Sequence, residues 1–182
     1  MNKIDYSKYY MDKFLIESNR LIIRKLIIED AELLFKYSQE DITKQELPDE
    51  VFENVDKTKE TVRYLISNYD NKYPLVYGII LKEKNIIIGH INLSIIDKGI
   101  EIGYAIGTEY QNKGYMTEII KPYLEWIKNN KNIHKIYGIV KMKNISSWKI
   151  LEKCEFILEE EGKRKNYFSG KYLVRIYSKL LK

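Results

Sequence analysis

Residues 86–96 constrain the fold more tightly than any other stretch. There Ile87, Gly89, Ile91, Leu93 and Ile95 alternate with His90, Asn92 and Ser94. A strand sends successive side chains to opposite faces, so this period of two predicts a strand in a sheet whose faces are unequally covered. Leu75 to Leu81 reads as the strand before it, with Glu83-Lys84-Asn85 as a hairpin turn. Asp97-Lys98-Gly99 reads as a second turn, and Ile100 to Ile106 as a third strand. The middle of the chain is therefore expected to be an antiparallel meander.

The flanks alternate helix and strand patterns. Arg20 to Leu26 is short and isoleucine-rich, which suits a strand. Asp30 is expected to cap a helix whose apolar residues Ala31, Leu33, Leu34 and Tyr37 recur at helical spacing. Residues 40–57 read as a polar connection holding Pro48, before a helix from about Thr58 to Asn68 with Val62, Leu65 and Ile66 inward. Beyond the meander, residues 107–114 lead into a helix through about Asn129. Ile119, Ile120, Tyr123, Leu124 and Ile127 line its inner face, and Pro122 is expected to kink it. Ile136 to Met142 reads as a strand and Ser146 to Lys153 as a short helix. Tyr172 to Leu180 reads as a last strand, after a turn at Phe168-Ser169-Gly170. That order predicts an α/β fold: a mixed, mostly antiparallel central sheet with helices on both faces.

A length of 182 residues suits one domain, with residues 1–16 as an extension without a clear period. One cysteine, Cys154, excludes a disulfide within a monomer and reads as a small buried hydrophobe, with a nucleophile as the alternative. Only His90 and His134 could join it at zinc, so no metal site is expected. The N-terminus lacks the apolar run of a signal peptide, and no stretch approaches the ~18–20 apolar residues of a membrane span. A cytoplasmic protein without membrane contact is expected. The net charge of +5 is spread among acids along the whole chain. The tyrosines sit at scattered, often apolar positions, so nucleic acid is not an expected partner. The sequence does not fix the oligomeric state; a homodimer is compatible with it.

Chemistry concentrates in Gly99 to Thr117. A strand runs into a loop, and the loop opens a helix at Gly114. The first N–H groups of a helix have no partner within it, and the positive end of its dipole lies behind them. Glycine lets a phosphate approach the backbone, Gln111 adds a neutral donor and Lys113 a charge. Neither GxxxxGK[ST] nor GxGxxG is present. On physics alone the segment is either a pyrophosphate cradle or an ordinary strand-to-helix turn.

Gln111-Asn112-Lys113-Gly114-Tyr115-Met116 resembles the Q/R-x-x-G-x-G/A signature of the GNAT acetyltransferase superfamily. Further segments resemble its ribosomal-protein N-terminal acetyltransferase branch, in the right order over nearly all of residues 17–181. They are Glu17 to Arg24, Ile88-Gly89-His90-Ile91, Glu101-Ile102-Gly103-Tyr104, Asn144 to Ser147, Leu151 to Phe156 and Gly162 to Tyr177. Met116 stands where a small residue is usual and is expected to crowd the pyrophosphate. Glu155 stands where glycine is usual.

The resemblance implies an acetyl-coenzyme A-dependent N-acetyltransferase. The loop and helix start, Gln111, Asn112, Lys113, Gly114, Tyr115, Met116 and Thr117, would hold the pyrophosphate. The backbone of Tyr104, Ala105 and Ile106 would face the pantetheine arm, and Asn144 would touch it. Glu101 matches a glutamate that serves relatives as base, often through water. Its other reading is a structural or solvated carboxylate. The tyrosine that many members use as acid is Leu151 here, which leaves Ser147 or a water for that task. A serine one turn into a helix also serves as a local backbone partner. His90 reads as a hydrogen-bonded structural histidine or as a second base, since its charge changes near neutral pH, and Trp126 and Trp148 as helix-packing residues or as flanks of a substrate.

The implied acceptor is a primary amine: a protein N-terminus, a small amine or an antibiotic. Its specificity is expected in residues 40–57 and the Phe168–Gly170 hairpin. The alternative is a non-catalytic acyl-coenzyme A sensor.

Overall fold

The computed structural model describes residues 16–47, 50–69, 73–166 and 170–181. Residues 1–15 of the expected extension, Pro48, and Phe168 and Ser169 of the expected turn lie outside them. The described strands are β1 (Ile16–Glu17), β2 (Leu21–Lys25), β3 (Leu75–Leu81), β4 (Ile86–Ile96), β5 (Gly99–Ile106), β6 (Lys135–Lys141), β7 (Ile157–Asn166) and β8 (Gly170–Leu180). They form one sheet in the order β1-β2-β3-β4-β5-β6-β8-β7. β5 and β6 are its parallel pair; the other described pairings are antiparallel. The helices are α1 (Ala31–Ser38), α2 (Asp41–Glu46), α3 (Val55–Ser67), α4 (Tyr115–Lys131) and α5 (Ile145–Lys153). The mixed, mostly antiparallel sheet between helical layers is therefore present.

Each face has its own core. Ile119, Ile120, Tyr123, Leu124 and Ile127 of α4 and Leu151 of α5 pack on Leu21, Ile23, Leu75, Tyr77, Ile79, Ile88, Ile91 and Leu93. On the other face Ala31 and Val62, from α1 and α3, pack with Ile22, Leu26, Ile80 and Ile87. β2 is buried on both sides because these layers meet around it.

The meander forms as expected, with one correction. Gly89 stands opposite Ile79 but Ile87 opposite Ile80, so Ile88 is an extra residue. Such a bulge reverses the phase of the strand behind it. Ile88 joins Ile91 and Leu93 under α4, whereas Ile87 turns to the other core. Ile87 and Ile91 thus do not share a face. Ile95, expected inward, is 67% exposed near the end of the strand.

Helix boundaries and caps also change. Residues 41–46 form α2, which has no buried residue and so no apolar stripe to betray it. α3 begins at Val55, where Asn54 Oδ1 accepts from Lys57 N at 2.9 Å. Asp30 makes no side-chain cap to α1. Its buried carboxylate instead takes the Arg24 guanidinium in two bonds of 2.7 and 2.8 Å and the Ile27 N–H at 2.9 Å. A charge-assisted fork is a stronger partner than a single backbone amide. α4 runs as one element through Pro122. No described helix is long and apolar enough to cross a membrane.

Candidate active site

The parallel pair does not stay paired. β5 and β6 are in register at Ile100↔Ile136 and Glu101↔Tyr137 only. Both continue, to Ile106 and Lys141, on diverging paths. Leu151 of α5 is wedged behind the divergence: a Cβ on Gly138 would lie 2.7 Å from its Cδ1. The gap is an open cleft of about 700 Å³.

At one end of the cleft stands the start of α4. Gly114 precedes it with φ +78°, a left-handed conformation that L side chains seldom adopt. A Cβ there would find only the Arg20 Nη2 atom, 3.6 Å away, so the space over the loop is open. No side chain caps the helix, and its first turn closes with Glu118 N–H donating to Gly114 O at 3.0 Å. The N–H groups of Tyr115, Met116 and Thr117 therefore have no acceptor within the helix. An uncapped helix start under open space, facing a long cleft, fits a pyrophosphate with an arm behind it.

Met116 does not crowd that space, contrary to the expectation from its bulk. Its side chain is buried in the core beneath α4, 4% exposed, and leaves only its backbone at the loop.

The loop is braced from the turn between β1 and β2. Glu118 accepts from Ser18 Oγ at 2.7 Å, Arg20 N at 2.8 Å and Arg20 Nε at 2.7 Å. Burial opposes ionisation of Glu118, but these bonds hold its carboxyl below the usual range. Arg20 Nη2 donates to the Lys113 carbonyl at 3.0 Å, and its guanidinium lies 4.3 Å from the Tyr115 ring centre. Gln111 Nε2 donates to Ile106 O at 3.1 Å and ties the loop to β5. Asn112 takes φ +59°, which asparagine tolerates.

Midway along the cleft, Tyr104 of β5 meets α5. Its hydroxyl donates to the Ser147 carbonyl at 2.9 Å and accepts from Ser147 Oγ at 3.2 Å. Burial pushes the Tyr104 phenol well above its ordinary value. Ser147 and Leu151 are one turn apart on α5, so this hydroxyl pair stands beside the buried leucine. Asn144 caps α5, its Oδ1 accepting from Ser147 N at 3.1 Å, while its Nδ2 donates to Glu46 at 3.4 Å.

The far side carries carboxylates. Glu101 lies opposite Ser94 on β4, and both line the cleft with Glu46, Glu50 and Asn92. His90 Nε2 is 3.2 Å from Glu50 Oε2. Burial opposes charge on both, but the pair prevails: it raises the His90 imidazolium and lowers the Glu50 carboxyl.

Of the residues singled out in the sequence, Glu101, Tyr104, Ala105, Ile106, Gln111, Asn112, Gly114, Tyr115, Met116, Thr117, Asn144 and Ser147 line this cleft. Lys113 is not on its wall; its Nζ sits 5.7 Å from the Tyr110 ring centre. Cys154 is buried, and burial pushes its thiol up to about 11. Sequence reasoning missed the Arg20–Glu118 brace, the Tyr104 phenol and Glu50. Arg20 and Tyr104 carried a signal, as parts of segments that resemble the family, but neither side chain's role was read from it.

A sheet split at a parallel pair, with a helix start at the mouth of the split, is the frame of an acyl-transferring enzyme. Residues 20–157 match the acetyltransferase (GNAT) domain, and the chain belongs to that family of N-acetyltransferases. Enzymes of this family use acetyl-coenzyme A. The chain is 26% identical to an uncharacterised N-acetyltransferase, YnaD, of Bacillus subtilis (strain 168) over 140 residues, 76% of this chain and 79% of that one. It is 30% identical over 95 residues to the ribosomal protein uS5-alanine N-acetyltransferase of Escherichia coli (strain K12), 50% of this chain and 48% of that one. The RimL ribosomal L7/L12 alpha-N-protein acetyltransferase, solved in complex with coenzyme A, shares the fold with a TM-score of 0.79 at 20% identity. That match covers 91% of this chain and 97% of that one.

Proposed function

We propose that the chain, as one acetyltransferase domain, moves an acetyl group from acetyl-coenzyme A directly to a primary amine. The observation that carries this reading is the divergence of β5 and β6 just beyond Glu101, with the uncapped start of α4 and the Glu101 carboxylate both on the wall of the resulting cleft.

When bound, acetyl-coenzyme A supplies the acetyl group as a thioester and the sulfur as leaving group. Backbone N–H groups from Gly114 to Thr117 bind its pyrophosphate, and Arg20 and Gln111 hold that loop in place. Outward-facing amides of Tyr104 to Ile106, on the stretch of β5 beyond its pairing with β6, bond the arm and the oxygen that gains charge. Glu101 accepts the amine's proton, directly or through water. A lysine-like amine (pKa ~10.4) needs that help more than an α-amine (~7.7–8.0). The Tyr104–Ser147 pair carries two hydroxyl protons, one of which passes to the departing sulfur.

The test is thiol release on mixing the protein, acetyl-coenzyme A and a panel of primary amines. Amine-dependent release with an acetylated product supports the reading. Binding of acetyl-coenzyme A without release from any amine would contradict it in favour of an acyl-coenzyme A sensor.

A further inference from the structure

A second space opens off the carboxylate side of the cleft, beneath α1 and α3. It holds about 290 Å³ and is walled by Leu34, Phe52, Val62, Leu65, Pro74 and Val76. Thr43, Glu50, Asn92, Ser94 and Ala105 border both spaces, so the two adjoin. The charged groups on its wall are His90 and Glu50, already paired with each other at 3.2 Å.

We propose that this pocket seats an apolar or aromatic arm of the acceptor, so that the substrate is a primary amine carrying such an arm. This rests on the transfer reading. Four features point to that occupant. A cavity of about 150 Å³ lined by apolar groups already holds benzene, so a ring with a short linker fits here. The walls are mostly apolar, and burying an apolar group against them is favourable while burying a second ammonium is costly. Glu50 is engaged by His90 and does not offer a free charge to a polyamine. Ala105, at the junction, is four residues from Glu101 along β5, about 13 Å at the rise of a strand. An arm rooted in the pocket therefore leaves its amine in the cleft, between the backbone of Ala105 and the Glu101 carboxylate.

The experiment compares kcat/KM in acetyl-coenzyme A thiol release for ethylamine, phenethylamine, spermidine and two peptides that differ only in beginning with glycine or phenylalanine. Phenethylamine is expected to exceed ethylamine by about tenfold or more, and the phenylalanine peptide to exceed the glycine peptide likewise. Spermidine is expected to fall below phenethylamine. Thr61→Trp, which projects bulk from α3 into the pocket, is expected to shrink the phenethylamine-to-ethylamine ratio toward one. If that variant does not fold, the wild-type series decides alone. Turnover of all acceptors with similar kcat/KM, or a preference for spermidine, would overturn the inference and leave the transfer reading standing. Thiol release with none of them would overturn both.

Discussion

The Ser147 hydroxyl donates to the Tyr104 phenol at 3.2 Å, and that phenol donates to the Ser147 carbonyl at 2.9 Å. The two hydroxyls form one unit, so their losses should not add. Tyr104→Phe is expected to lower kcat by about 10²-fold, at the low end of general acid–base effects. Ser147→Ala is expected to lower it less, and the double variant no more than Tyr104→Phe alone. Single-turnover rates on the four proteins check this. Full additivity would separate the pair.

Glu101→Gln is expected to cut turnover by about 10²-fold while acetyl-coenzyme A still binds. The loss should be larger for an alkylamine than for an α-amine at pH 7, and should shrink as pH rises and the free amine becomes abundant. Rates of wild type and variant across pH decide the matter; parallel profiles would remove Glu101 as base.

The His90–Glu50 pair makes stability depend on pH. The imidazolium is raised above 6.5, so its contribution is complete below that value and is lost as pH climbs through the raised pKa. The carboxyl is lowered below 4.5, so its contribution is complete above that value and is lost as pH falls through the lowered pKa. The pair should therefore contribute most between about 4.5 and 6.5. Glu50 is partly exposed, so solvent screening limits the pair to about 1 kcal/mol, or a Tm change of about 2–4 °C. Melting of wild type and His90→Gln from pH 4 to pH 9 should show the largest gap inside that window. A constant gap would assign the pair no ionic role.

Glu155 explains itself through its backbone. It takes φ +63°, the conformation that makes glycine usual there, and its exposed carboxylate pairs with Lys179 at 2.7 Å. Glycine removes the strain and loses only an exposed ion pair. Glu155→Gly is expected to raise Tm by about 1–2 °C, and Glu155→Ala, which keeps the strain, to lower it. A thermal melt of the three proteins checks the order.

Local pattern revealed the meander, the inner face of α4 and the helix start at Gly114, because each rests on periodicity or glycine chemistry close in sequence. It did not reveal α2, whose six residues bury nothing. It put Ile87 on the wrong face, because a bulge depends on the partner strand as well as on the strand itself. Asp30 left its expected cap for Arg24, a contact between two elements that no spacing rule encodes. The residues proposed to hold the pyrophosphate form one contiguous run, Gln111 to Thr117. The Arg20–Glu118 brace spans 98 positions and Glu50–His90 joins a loop to a strand, so both needed the fold.

The most direct measurement is a calorimetric titration of acetyl-coenzyme A into wild type, Gly114→Asp and Gly114→Asn. Asparagine accepts the left-handed backbone and adds no charge, whereas aspartate sets a carboxylate beside the pyrophosphate. Wild type is expected to bind saturably, with affinity weakened about tenfold or more by Gly114→Asp and far less by Gly114→Asn. No binding to wild type, or equal affinity in a folded Gly114→Asp, would contradict it.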